Sequence, residues 1–341
     1  MQALDPFGAA ADPDMPTLKL ALDPVAMREE FKHGLPRLSG TEGRIHIRKI
    51  SVLRHKPGRR CVLEYGVKLL LPEKPPQRLS LIGKVRARRF GNESYRLLDA
   101  IWNAGFQTES PDGISVPEPL GVIPKAQLWL QRKVPGNTAA QLLSQPDGVS
   151  LARHIAEALH KLHRAKIPTE RSHTMADELR ILHEHLPAVA PLKPELSPRI
   201  TRLLAACDRL GTSVTTPHLC GIHRDFYPAQ VMVDRTRLYL LDFDLYCQGD
   251  PGLDVGNFVA HITEECMRNG RPPDALAEVK AALIERFIAL SGEAFQPSID
   301  AYDTLTLVRH VYLCTQFPER LPNLEPMLAW CERRLSRWMR D

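Results

Sequence analysis

The sequence predicts an α+β protein in two lobes, an antiparallel sheet first and a mainly helical part second. Three observations carry this. From 44 to 134 apolar residues recur in short β-type runs, and after Pro135-Gly136 they recur at helical spacing almost to the end. The chain's 341 residues, 43% hydrophobic and 25% charged, also exceed what one core usually takes, since single cores stop growing near about 250–300 residues.

Residues 1–40 are rich in Pro, Asp and Ala and lack a sustained period, so they read as an N-terminal extension with one helix near 24–33. Five β-type runs follow at 45–53, 61–71, 79–85, 119–123 and 128–134, which predicts a five-stranded antiparallel sheet in a domain of residues 41–134. One helix interrupts it: Tyr95, Leu97, Leu98, Ile101 and Trp102 share a face, and Gly105 stops the pattern. The third part, 135–341, shows helical spacing at 139–143, 149–165, 175–186, 198–210, 254–269, 274–290, 299–317 and 324–339. Two short β-type pieces, 231–234 and 238–241, flank a turn at Arg235-Thr236.

Several classes are excluded. No run of about 18 apolar residues exists, so no membrane span is expected. The start carries Asp5, Asp12 and Asp14 and no basic residue before 19, unlike a secretory leader, which places the protein in the cytoplasm. Seven scattered cysteines, never Cys-x-x-Cys, encode neither a disulfide framework nor a zinc site. His160-x-x-His163 lacks a Glu at zincin spacing, and Cys220 reads as core rather than nucleophile. The net charge of +5 hides an asymmetry: residues 1–225 hold 33 Lys and Arg against 23 Asp and Glu, while 226–341 hold 12 against 17. A basic front suits phosphates and an acidic back suits a metal or a cationic substrate, with solvated charge as the plain alternative. No basic stripe with interleaved aromatics appears, so nucleic acid is not an expected partner.

The densest chemistry surrounds the predicted hairpin. Gly221-Ile222-His223-Arg224-Asp225 and Gln230 precede it, and Leu241-Asp242-Phe243-Asp244 follows it. A hairpin joins its two ends, so Asp225, Gln230 and Asp242 fall on neighbouring loops. Two carboxylates and an amide oxygen suit magnesium, and a free carboxylate beside a metal suits phosphoryl transfer. Taken singly, each Asp is as consistent with a turn residue.

His-Arg-Asp, an amide five residues after the Asp, two short strands and Asp-Phe-Asp resemble the core of kinase-like phosphotransferases. The run from Asp242 to Asn257, with Gly249-Asp250-Pro251 and Asp254, resembles the aminoglycoside phosphotransferase family; Asp-Phe-Gly and Ala-Pro-Glu, the marks of eukaryotic-type protein kinases, are missing. The resemblance implies a bilobal protein-kinase-like fold with Asp225 as catalytic base and with Asp242 and Gln230 as magnesium ligands. The family usually has Asn at the place of Gln230, so an inactive, nucleotide-binding pseudokinase with a regulatory or scaffold role is the alternative. His223 and Arg224 are read as bracing the loop, with a core or surface role as the equal alternative for each, Asp250 and Asp254 as structural, and Asp254 also as a candidate N-cap of the next helix.

The same resemblance places Lys84, in the third run, at the nucleotide phosphates. A lysine in an apolar strand needs a partner, and Glu93, the only acidic residue between 85 and 98, is the candidate; a helix-start Glu satisfying the macrodipole is the alternative. Arg54 to Arg60, with Arg59 at its tip, sits where a phosphate-covering loop belongs, though it equally reads as a Pro-Gly turn with solvated charges. Gln131 and Lys133 lie on the stretch that would hold adenine through its backbone. A Walker loop is rejected, because position 78 is Arg and position 85 is Val. The expected activity is that of an ATP- and magnesium-dependent small-molecule kinase acting on a hydroxyl of a sugar, an aminoglycoside-like compound or an amino-alcohol. Residues 261–341 hold 12 acidic and 10 basic side chains, too mild an excess to require a polycationic acceptor.

Overall fold

Alternation of buried and half-buried residues builds the first sheet, and helix pairs build the rest. The structure, a computed structural model, describes residues 3–40, 42–87, 92–215 and 218–339. The first two residues of the expected extension, and residue 41 at its expected boundary, lie outside the described residues. The chain divides into two units, Met1–Pro135 with Arg235–Leu241, and Gly136–Asp234 with Asp242–Asp341.

The first unit begins with α1 (Leu18–Ala21), α2 (Pro24–Gly34) and α3 (Pro36–Ser39). Pro24 preorganises the first turn of α2, and Asp23 caps it by accepting from the Val25 and Ala26 N–H groups at 2.8 and 3.2 Å. Then come β1 (Arg44–Lys56), β2 (Arg60–Leu70), β3 (Gln77–Arg86), α4 (Glu93–Asn103), β4 (Ile114–Ser115), β5 (Pro119–Ile123) and β6 (Leu128–Arg132). The five strands form the antiparallel sheet that the β-type runs predict, in the order β1-β2-β3-β6-β5. Cys61, Leu63, Tyr65, Val67 and Leu69 of β2 are buried while the residues between them are half-buried.

What covers the buried face is a finding. Met15, Leu18, Met27, Phe31 and Leu35, from the stretch read as an extension, join Leu63, Tyr65, Leu81 and Leu130 in one core. Phe31 meets the Tyr65 ring edge-on at 5.1 Å, and the Tyr65 hydroxyl donates to the Ala21 carbonyl at 2.7 Å. Residues 9–38 therefore complete the sheet's core, and the opposite face carries Val62, Ile82, Lys84, Trp129 and Gln131 in register.

The second unit holds β7 (Asn137–Thr138), α5 (Ala139–Leu142), α6 (Gly148–Arg164), α7 (Met175–His185), α8 (Ser197–Thr212), β8 (Cys220–Ile222) and β9 (Val231–Asp234). The next strand, β10 (Arg237–Leu240), belongs to the first unit, where it pairs in parallel with β4. The second unit resumes with β11 (Cys247–Gly249), α9 (Pro251–Arg268), α10 (Ala277–Ser291), α11 (Gln296–Leu313) and α12 (Leu324–Arg334). Helices α9 and α11 are its spine. A Cβ on Gly256 would stand 2.5 Å from the Asp303 nitrogen and 2.7 Å from the Ile299 oxygen, so glycine lets the two backbones touch. Around them α7, α8 and α12 enclose an apolar core.

Two expectations are corrected. Helix α9 begins at Pro251, one turn before 254, and its N-cap is Asp250, which accepts from the Gly252 N–H at 2.8 Å; Asp254 lies inside the first turn. The last long helix ends at Arg334 rather than 339. All seven cysteines are free, six of them buried. No helix among the described residues is long and apolar enough to cross a membrane.

Candidate active site

Strands β8 and β11 form a two-stranded antiparallel ribbon in which Ile222 faces Cys247. Pairing in that sense makes the chain leave β8 and enter β11 at the same end, so the loop 223–230 and the turn 242–246 emerge side by side. The His223 ring joins them, lying 5.4 Å from the Phe226 ring and 4.9 Å from the Phe243 ring. Phe226 follows Asp225 and Phe243 follows Asp242, so the two aspartates are carried to one end of the ribbon. Gln230 ends a single 3-10 turn in the same loop. Arg224 (φ 70) and Asp242 (φ 60) are both left-handed, a conformation that costs a residue such as Arg about 1–2 kcal/mol and persists only where surroundings enforce it.

The enforcement comes from helix side chains. Asp254, fully buried on α9, accepts from the His223 N–H at 2.8 Å and the Arg224 N–H at 2.7 Å, and its Oδ2 lies 2.9 Å from Nε2 of His163 on α6. One turn on, Asn257 donates through Nδ2 to the Phe226 carbonyl at 2.8 Å. Asn257 Oδ1 accepts from the Arg309 guanidinium of α11 at 2.7 Å, Arg309 reaches Glu178 at 3.4 Å, and Glu178 lies 2.6 Å from His173. Burial opposes the charge on Glu178, but the His173 hydrogen bond and Arg309 outweigh it and hold the carboxyl below its usual range. The loop is thus held by a chain of buried partners from four elements.

Against this fixed backbone, two oxygen-bearing side chains stand unengaged. The half-buried Asp225 carboxylate makes no hydrogen bond or ion pair with a described residue, and neither does the Gln230 amide, although Gln230 is only 8% exposed. Neither side chain is among the polar groups sealed from solvent without a partner, so both remain open to a ligand. Hard oxygen donors from Asp242 and Gln230 fit a magnesium ion. Among the described residues no three His, Cys, Asp or Glu side chains form a metal cage by themselves, so an ion held there would need further oxygens from water or a ligand. Cys220 on the ribbon is no nucleophile, because burial pushes its thiol up to about 12.

The remaining candidates lie on the first unit's sheet. Half-buried Lys84 stands between Val62 and Trp129, its Nζ 5.1 Å from the Trp129 ring centroid. On the same face Arg60 sits directly opposite Arg86, which places two guanidiniums side by side on the ladder. Arg59 is exposed in the β1–β2 turn, where burial and then Arg60, Arg54 and Arg59 push the Lys56 ammonium below its ordinary value. Asp12 holds that turn, accepting from the Gly58 N–H at 2.8 Å and meeting His55 at 2.8 Å. Glu93 is exposed in the first turn of α4. Gln131 is buried on β6 opposite Ile82. The Lys133 N–H donates to the Ser80 carbonyl at 2.9 Å, and its ammonium pairs with Glu64 at 2.9 Å.

Sequence reasoning missed the braces: His163, the anchoring role of Asp254, Asn257, Arg309, Glu178 and His173. One signal was present, since 254 and 257 share a helix face with 261, a polar stripe on an otherwise apolar helix.

A model of the phosphotransferase enzyme family matches residues 85–289, which include Glu93, Gln131, Lys133, Asp225, Gln230 and Asp242 but not Arg59 or Lys84. No curated protein matches the sequence. Among solved structures, a choline/ethanolamine kinase family protein from Mesorhizobium loti is 15% identical, with 96% of this chain and 97% of that chain covered and a TM-score of 0.52. The choline kinase LicA from Streptococcus pneumoniae is 11% identical over 91% and 98%, with a TM-score of 0.56. An amicoumacin kinase in complex with AMP-PNP and Ca2+ is 15% identical over 83% and 88%, with a TM-score of 0.55. At such identities the likeness establishes the kinase-like fold.

Proposed function

The chain belongs to the phosphotransferase enzyme family, and on that premise we propose that it moves the γ-phosphoryl group of ATP, with magnesium, to a hydroxyl of a small molecule in the cytoplasm. The observation that carries this reading is the Asp225 carboxylate, without a hydrogen-bond or ion-pair partner among the described residues, on a loop whose neighbouring backbone groups are hydrogen-bonded to buried side chains. A carboxylate so held can accept or orient the acceptor's proton without rearranging its surroundings.

In this reading Asp242 and Gln230 hold magnesium, which when bound supplies charge neutralisation at the transferring phosphate. Lys84 and Arg59 face the nucleotide's phosphates with Glu93 orienting Lys84, and Gln131 and Lys133 border the adenine. A nucleotide-binding pseudokinase is favoured by one residue, Gln230, whose extra methylene relative to Asn shifts its oxygen.

The test is magnesium-dependent ADP formation across a panel of hydroxylated metabolites, with ATP binding measured separately. ADP matched mole for mole by a phosphorylated product supports the kinase. Tight ATP binding with no transfer to any acceptor selects the pseudokinase.

A further inference from the structure

Helix α9 follows the catalytic loop along one stripe. Asp254 takes the N–H groups of His223 and Arg224, Asn257 takes the Phe226 carbonyl, and His261, one turn on, stacks on the Tyr227 ring with centroids 4.7 Å apart and planes 23° apart. Tyr227 and His261 are both half-buried, so the stack borders solvent two residues from Asp225. The stripe then leaves the loop and continues through Glu264 to Arg268, about two turns and 10 Å beyond His261.

The surroundings of that far half are cationic. Glu264 is shared by two guanidiniums, Arg268 at 3.2 Å and Arg320 at 3.8 Å. The second distance exceeds hydrogen-bond length, so Arg320, 24% exposed and lying over the Phe317 ring at 4.7 Å, has donors with no hydrogen-bond acceptor among the described residues. Arg309 stands on the neighbouring α11, bound to Glu178 and Asn257. The imidazole of His310 packs edge-on to His261 at 4.7 Å, is 2% exposed, and its Nε2 has no partner. Burial and then Arg309, Arg320 and Arg268 drive the His261 imidazole down to about 3, so it is neutral and adds no charge of its own. The three guanidiniums share two carboxyl partners, Glu178 for Arg309 and Glu264 for Arg268 and Arg320, and burial disfavours the ionisation of Glu264.

We infer that the acceptor is a hydroxy compound bearing an anionic group, lying over the Tyr227–His261 stack with its anion toward Arg320 and Arg268, and not a polycation. This rests on the phosphotransferase reading above and names the class of acceptor for that same site. The aromatic pair covers one side of the acceptor's carbon skeleton, and Arg320, beyond its ion pair with Glu264, supplies donors that no described residue accepts as a hydrogen bond.

The experiment compares acceptors that share a skeleton and differ in charge: glucuronate, glucose and glucosamine, and glycerate, glycerol and 2-amino-1,3-propanediol, with kanamycin as the polycation. Magnesium-dependent ADP formation is read as kcat and KM for the wild type and for Arg320→Gln. The expected result is at least a tenfold higher kcat/KM for the anionic member of a series. In Arg320→Gln that preference should fall at least fivefold through KM, with kcat within about twofold. Preference for a cationic member, or a charge preference unchanged in Arg320→Gln, overturns the inference and leaves the phosphotransferase reading standing. Transfer to no compound of any charge, while ATP binds, overturns both.

Discussion

The two groups of candidate residues are held in opposite ways. In the second unit the loop bearing Asp225 is fixed atom by atom, by Asp254, Asn257 and, through them, His163 and Arg309. In the first unit, Lys84, Arg60, Arg86 and Arg59 occupy a sheet face and a turn where cationic charge is repeated over several side chains. The contrast follows from what each does in the proposed reaction. A proton acceptor works only within hydrogen-bond reach of one atom, whereas attraction to a polyphosphate falls off slowly with distance and can be shared among several cations.

The sharpest way to break this comparison is at Asp254. Asp254→Ala removes one acceptor from two buried N–H groups and from His163, a loss expected to destabilise the fold by about 3 kcal/mol and to abolish turnover. A melting temperature within about 1 °C of wild type would show that the loop holds itself. Asp225→Asn is the counterpart. Because the carboxylate has no hydrogen-bond or ion-pair partner among the described residues, melting should not change, while turnover should fall by about 10²- to 10⁴-fold with nucleotide affinity preserved. Unchanged turnover in a protein with demonstrated transfer would remove Asp225 from the chemistry.

Redundancy in the first unit predicts smaller effects there. Lys84→Ala should raise the KM for ATP by about tenfold, the equivalent of one charge-assisted contact at about 1.4 kcal/mol, and Arg59→Ala by no more than about threefold. If Arg59→Ala were the more damaging, the charge would be positioned after all.

The last expected effect is on stability against pH. His310 is buried beside His261 and near Arg309, Arg320 and Arg268, and burial first, then the cationic surroundings, keeps its imidazole well below its ordinary value. In the unfolded chain it takes up a proton below about pH 6.5. The unfolded state then binds more protons, so stability is complete above that pH and declines as the pH falls below it, by up to about 1.4 kcal/mol per unit. Glu178, held below its usual range, contributes stability above its unfolded value and loses it only at lower pH. Denaturant midpoints at pH 7 and 5 should separate in the wild type and draw together in His310→Gln; an equal separation in both would exclude the imidazole as the cause.

Much of this was determined by the sequence alone. Alternation in β2 placed Cys61, Leu63 and Tyr65 on one face, because the side-chain period of a strand is two and a slip of one residue would expose them all. The predicted sheet and helices emerged within a few residues of their observed bounds, apart from strands of two or three residues such as β8 and β11, which are too short to show a period. The spacing of Asp225, Gln230 and Asp242 likewise depends only on local chain geometry. Tertiary structure decided what period and spacing cannot encode. Residues 9–38 look like an extension because their apolar residues follow no single period, yet they cover a sheet face that would otherwise be bare. Asp254 reads locally as a helix cap, but that place belongs to Asp250, and Asp254 instead binds a loop 30 residues earlier and a histidine 91 residues earlier. Such contacts are chosen by which surfaces meet when helices pack, and a buried carboxylate then takes whichever N–H groups lack a partner there.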